Sequence, residues 1–177
     1  MIVELIKQVS VALEDAEIPY MLSGSVALGF YTIARTTRDI DIVVELYKVD
    51  VEKFVACFAD FFVDELGIAE EVKRRGMFNI IDKKSAFKID FIVRQETEYG
   101  KLEFTRRQRH SMGGVDIWVV SLEDLIIAKL RWIQDFQSDR QLSDIKSLLL
   151  NPGIDWEYLN KWIQKLRLKT FNLLENE

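Results

Sequence analysis

Apolar residues recur at helical spacing from the start of the chain. Ile2, Leu5, Ile6, Val9 and Leu13 fall on one face and Pro19 ends the run, so residues 2–17 are predicted as a helix. Tyr20-Met21-Leu22 then reads as a short strand running into the turn Ser23-Gly24-Ser25, with a short helix expected over 26–31. A strand over 40–45 and a helix over 51–60 follow. Two extended runs, 78–81 and 87–93, are separated by Asp82-Lys83-Lys84-Ser85, a spacing that predicts a hairpin. Residues 115–120 give one more strand, and Ser121 follows as a helix N-cap, with the Asp124 carboxylate reaching back in a capping box. The remainder is helical in pattern, over 122–137, 140–150 and 156–168; Asn151-Pro152-Gly153 separates the last two and Asp155 caps the last. This element order is α+β: a mixed core over residues 1–120 and a C-terminal helical segment over 121–177 packed on it.

Composition narrows the function classes only slightly. A chain of 177 residues suffices for one compact domain with a helical appendage, and a net charge of −5 does not advertise a polyanionic partner. The single Cys57 excludes an internal disulfide and a cysteine-rich zinc cluster, and reads as a small buried thiol. The N-terminal residues lack the basic stretch and apolar core of a signal peptide, and no apolar run approaches bilayer-spanning length. A cytoplasmic location without a membrane partner is therefore expected. His110 is the only histidine, so any Ser-His or Cys-His pair would rest on it alone. Arg106-Arg107-Gln108-Arg109-His110 and Lys73-Arg74-Arg75 read as solvated basic faces, with a nucleic-acid backbone as the sharper alternative. Trp118, Trp132, Trp156 and Trp162 read as packing residues rather than base-stacking platforms.

The chemistry concentrates in two apolar strands interrupted by acids. In Asp39-Ile40-Asp41-Ile42-Val43-Val44, strand alternation puts Asp39 and Asp41 on one face and Ile40, Ile42 and Val44 on the other. Two carboxylates so placed repel each other, and their desolvation is costly without a positive partner; a divalent cation with oxygen ligands, magnesium, is the simplest one. Lys88-Ile89-Asp90-Phe91-Ile92-Val93 repeats the device, with Asp90 facing away from Ile89, Phe91 and Val93. Taken alone, Asp90 could equally pair with Lys88 or Arg94. If the two strands are neighbours, three carboxylates meet, enough to hold two cations around a phosphoryl group. Gly24-Ser25 adds a strand-to-helix turn whose backbone can approach a phosphate closely. Lys129 falls within the apolar stripe of Leu122, Leu125, Ile126, Leu130 and Ile133, so it must snorkel outward or meet an anion. Asp144 borders the stripe of Leu142, Ile145 and Leu149, where a surface or helix-pairing charge is equally compatible.

Gly24-Ser25, then Arg35-x-Thr37-x-Asp39-Ile40-Asp41 and later Asp90, resembles the signature of the polymerase-beta-like nucleotidyltransferase superfamily. Within it the chain most resembles the AbiEii-type abortive-infection toxins and their short relatives. That likeness continues through Val119-Val120-Ser121-Leu122-Glu123-Asp124-Leu125-Ile126 with Lys129-Leu130, then Asp144-Ile145. The resemblance implies a nucleotidyltransferase fold, a mixed sheet flanked by helices. It implies Asp39, Asp41 and Asp90 as catalytic metal ligands, with Asp90 assisting deprotonation of the acceptor. It also implies Gly24, Ser25, Arg35, Thr37, Lys129 and Asp144 as nucleotide-binding positions, with Lys129 on the phosphates. The implied reaction is transfer of a nucleoside monophosphate from a nucleoside triphosphate, with two magnesium ions, onto an acceptor hydroxyl of an RNA end, a protein side chain or a small molecule such as an antibiotic. A toxin–antitoxin or phage-defence role with a cognate antitoxin is the implied setting. The toxins carry a much larger helical domain than this chain, which weakens a tRNA-directed role. A non-catalytic nucleotide-binding module is the remaining alternative.

Overall fold

The computed structural model describes residues 2–37, 39–135 and 138–174. The chain runs α1 (Ile2–Asp15), β1 (Tyr20–Ser23), α2 (Gly24–Leu28), β2 (Ile40–Val44), a 3-10 turn (Lys48–Asp50), α3 (Val51–Cys57), β3 (Phe61–Phe62), α4 (Glu65–Arg74), β4 (Met77–Asp82) and β5 (Lys88–Val93). It continues through α5 (Glu98–Thr105), β6 (Gln108–Met112), β7 (Val115–Val119), α6 (Leu122–Trp132), α7 (Asp139–Leu149) and α8 (Trp156–Lys165). The strands form one seven-stranded mixed sheet in the order β3-β4-β5-β2-β1-β7-β6. Only β2–β5 and β1–β7 pair in parallel. The predicted hairpin is β4–β5, antiparallel with Ile81 opposite Lys88.

Strand alternation decides which residues the sheet hides. Ile40, Ile42 and Val44 on β2 and Ile89, Phe91 and Val93 on β5 are buried, and α3 closes over this face. Its Phe54 meets Phe91 edge-on at 5.0 Å between ring centroids, while Phe78 stacks on Phe91 at 5.4 Å. The opposite face of the same strands carries Asp41, Asp90 and Lys88, so the face left free of the aromatic core is the one with chemistry on it. α6 is hidden almost all round: Leu125, Ile126, Ile127 and Leu130 are all fully buried, a wider apolar surface than the single stripe expected. Among the described residues no helix is long and apolar enough to cross a membrane.

Five expectations need correction. Residues 65–74 and 98–105, whose sequence pattern predicts no element, are α4 and α5. Residues 108–112, for which no element was predicted, form the edge strand β6, paired with β7 through His110 opposite Ile117. The basic faces are only partly solvated: Lys73, Arg74 and Arg109 are exposed as expected, whereas Arg75, Arg106 and Arg107 are half-buried. Arg106 bonds Glu123 and Asp124 and lies 3.7 Å from the Tyr158 ring centroid, and Arg75 pairs with Glu96 and sits over Tyr47. The Cys57 thiol is half-buried, not buried, and donates to the Lys53 carbonyl at 3.1 Å. The helix expected over 122–137 ends at Trp132, with residues 133–135 in a turn, and positions 136 and 137, like residue 38 between Thr37 and Asp39, lie outside the described residues.

The expected caps form, one with altered chemistry. Asp155 accepts the Tyr158 N–H at 2.9 Å. Ser121 accepts the Asp124 N–H at 3.4 Å and donates its hydroxyl to the Asp124 carboxylate at 2.6 Å. That carboxylate also accepts from Tyr99 at 3.0 Å, Tyr158 at 2.7 Å and Arg106 at 3.1 Å. A residue read from sequence as part of a cap is thus the fully buried hub joining α5, α6 and α8.

Candidate active site

Register brings the acidic positions together. The parallel pairing of β2 and β5 sets Asp41 directly beside Asp90, and the antiparallel pairing of β1 and β2 sets Ser23 opposite Asp41. The chain therefore leaves β1 at Gly24 immediately above the Asp41 carboxylate. Gly24 has φ of +60°, and a Cβ there would stand 1.9 Å from Asp41 Oδ2. α2 begins at Gly24 itself, two residues earlier than expected, and has only five residues. Asp39 precedes β2 on an exposed turn, its N–H donated to Thr37 Oγ1 at 3.2 Å.

The electrostatics of this corner are unbalanced. Among the described residues no hydrogen bond or ion pair reaches the Asp39 or Asp41 carboxylate, while Asp90 is held by Lys88, Nζ to Oδ2 2.7 Å. Burial, reinforced by the charges of Asp90 and Asp39, pushes the Asp41 carboxyl above its usual range, against the pull of Lys129 and Lys88. A carboxylate in this condition gains from any added positive charge. An all-oxygen donor set of this kind suits magnesium. Among the described residues no three acidic, histidine or cysteine side chains stand close enough together to hold a metal ion as a group.

The predicted nucleotide-binding residues form a second group behind the first. Lys129 does not snorkel: its ammonium bonds Asp144 at 2.9 Å and Gln141 at 3.1 Å, with Lys129 and Asp144 both buried. Arg35 grips the same Asp144 carboxylate with two nitrogens, at 3.0 and 2.9 Å, and donates to the Ser25 hydroxyl at 2.6 Å. Ser25, Arg35, Asp144 and Lys129 are therefore one chain of charge-assisted bonds from the turn after β1 to α7. Burial alone would raise Asp144, but the bonds from Arg35 and Lys129 outweigh it and hold the carboxyl below its usual range. Burial draws Lys129 below the ordinary lysine range despite its bond to Asp144.

Both groups border one cleft of about 450 Å³. Gly24, Ser25, Asp39, Asp41, Asp90 and Lys129 line it. Arg35, Thr37 and Asp144 do not; they brace the residues that do. Three lining residues that sequence reasoning did not assign to the site are instructive. Gln141 lies three before Asp144 on α7, a helical spacing that could have flagged it. Met77 heads β4, one residue before the strand predicted there. Trp132, read as packing, stands 64% exposed at the end of α6 with its side chain on the cleft, whereas Trp162 is 4% exposed and fits the expectation.

Solved structures share this fold. The antibiotic-resistance factor ANT(2'')-Ia is 12% identical and superposes with a TM-score of 0.58 over 93% of this chain and 90% of its own. An antigenic nucleotidyltransferase-like protein from Paracoccidioides brasiliensis, 16% identical, gives 0.56 over 98% and 97%. The lincosamide antibiotic adenylyltransferase LnuA, 14% identical, gives 0.52 over 78% and 90%. No curated protein matches the chain in sequence. The family described as "Nucleotidyltransferase of unknown function (DUF6036)" matches residues 1–176, and to that family the chain belongs.

Proposed function

We propose that the protein transfers a nucleoside monophosphate from a nucleoside triphosphate to an acceptor hydroxyl, with magnesium held by Asp39 and Asp41. The observation that carries this reading is the register that pairs Asp41 with Asp90 beneath Gly24. It leaves a desolvated carboxylate short of positive charge beneath a glycine turn whose backbone can approach a phosphate. When bound, the ion would screen the triphosphate and hold its α-phosphate for in-line attack. Gly24 and Ser25 give the phosphates a backbone and a hydroxyl. Lys129, fixed by Asp144, offers a buried positive charge to the pyrophosphate as it leaves. Asp90, steadied by Lys88, accepts the proton of the acceptor hydroxyl as the new O–P bond forms and the bond to pyrophosphate breaks.

The test is calorimetric titration of ATP, GTP, CTP and UTP into wild type and Asp41→Asn, with and without magnesium. Magnesium-dependent binding lost in the variant supports the site and names the donor. Equal binding by both proteins rejects it. A toxin role rests on the AbiEii-like run at residues 119–130 together with Asp144. It is tested by expressing wild type and Asp41→Asn in a bacterial host: growth arrest confined to wild type favours that setting, and equal growth rejects it. The antibiotic enzymes that share the fold favour a small-molecule hydroxyl as the first acceptor class to screen by pyrophosphate release.

A further inference from the structure

The cleft has an end that the phosphate and metal chemistry does not use. Along α6 the residues facing it are Leu125, Ala128, Lys129 and Trp132, so the indole stands one turn beyond the buried lysine on the same side of the helix. Across the cleft, Met77 on β4 pairs with Ile92 on β5, and Asn79, two residues on, pairs with Asp90. The methionine therefore lies on the carboxylate-bearing face of the sheet, roughly 7 Å along the strand from the level of Asp90. Both large side chains are exposed, Trp132 at 64% and Met77 at 48%, and unlike other exposed apolar side chains such as Ile33 and Leu150 they line the cleft. Neither is needed to close the core.

We infer that Trp132, with Met77 across the cleft, is the platform on which the nucleobase of the bound triphosphate stacks; this rests on the nucleotidyl-transfer reading above. The occupant follows from what surrounds the platform. A ligand whose phosphates meet Gly24, Ser25 and Lys129 and whose reacting phosphorus lies at Asp41 has two remaining parts, a polar ribose and a flat heteroaromatic ring, and only the ring matches an apolar platform. The adjoining wall offers a flat indole and a polarisable thioether, which suit the face of such a ring. The donor is favoured over the acceptor because Trp132 is one helical turn from the lysine proposed to hold the donor's phosphates.

Two probes separate the ring from the phosphates: magnesium with ATP, and magnesium with inorganic tripolyphosphate. Each is titrated calorimetrically into wild type, Trp132→Ala and Trp132→Phe. The side chain is mostly exposed, so both variants should fold like wild type. Trp132→Ala should bind ATP roughly ten- to a hundredfold more weakly, the usual range for losing one base–aromatic stack, and Trp132→Phe should retain most of the affinity. Tripolyphosphate affinity should be the same in all three proteins. ATP, but not tripolyphosphate, should quench wild-type tryptophan emission, and Trp132→Phe should abolish that quench. Wild-type ATP affinity in Trp132→Ala, or an equal loss for both probes, overturns the platform. Unchanged ATP affinity combined with a loss of transfer would reassign Trp132 to the acceptor. Wild type binding neither probe would bring down the nucleotidyl-transfer reading itself, and the platform with it. Tripolyphosphate bound as tightly as ATP would remove the platform alone.

Discussion

Asp124 and Asp41 are both carboxylates set into apolar surroundings, and the protein treats them in opposite ways. Asp124, fully buried, accepts from Ser121, Tyr99, Tyr158 and Arg106, and draws α5, α6 and α8 together. Asp41 has Gly24 above it, Asp90 beside it and Asp39 nearby, with burial and like charge both acting against its ionised form. A buried acid given donors becomes structure. One denied donors and placed beside other acids gains from added positive charge, the property on which the proposed metal site rests.

The strongest way to break this comparison is to remove the satisfied acid. Asp124→Ala should cost about 3–5 kcal/mol in urea unfolding, because the half-buried Arg106 and the hydroxyls of Ser121, Tyr99 and Tyr158 lose their acceptor. Wild-type stability in that variant would show that the hub is dispensable. Asp144→Asn should come next, at about 1.5–3 kcal/mol, since Lys129 and Arg35 lose the charge that holds them. Its loss of stability should be largest above the ordinary carboxylate range. A carboxyl held low in the folded state stabilises above its unfolded pKa and loses that contribution as pH falls through its folded value. Wild type and variant should therefore converge in acid.

Asp41→Asn should act in the other direction. The Asp41 carboxyl is raised in the folded protein, so its contribution is present below its unfolded pKa and is lost as pH rises through the folded one. Without metal, the variant should melt slightly above wild type at neutral pH and match it in acid, while losing magnesium-dependent triphosphate binding. A lower melting temperature at neutral pH would show that Asp41 has partners that stabilise it. The smallest effect belongs to an exposed pair: Glu98→Gln, which breaks the 2.8 Å contact with Lys165, should change stability by less than about 1 kcal/mol.

Much of the site was legible because its signals are local. Asp39-x-Asp41 and Asp90 interrupt apolar strands, and the turn at Gly24 follows another, so the ingredients and their order could be read from spacing. Which strands are neighbours could not: β2 pairs with β5 across nearly fifty residues of chain, and only the sheet reveals that Asp41 and Asp90 are in register. The same limit applies to Asp124. Its helical position predicts a cap, but its other donors come from residues 18 to 34 positions away. α5 escaped detection because Gly100 interrupts eight residues of mixed polarity. β6 escaped because an edge strand with mostly exposed side chains lacks the alternation that marks a half-buried one. Trp132 was misjudged for a related reason: a tryptophan on a buried helix is ordinarily core, and only the exposure of the final turn of α6 distinguishes this one.

The fit of Gly24 over Asp41 also has a historical consequence. Every other amino acid would bring a carbon into the space that the carboxylate oxygen occupies, and would strain the left-handed backbone as well. No one-step route leads away from this glycine with the acid intact. Descendants of this protein should either carry the two residues unchanged or lose them in succession, so the state of position 24 reports whether the acid beneath it has been kept.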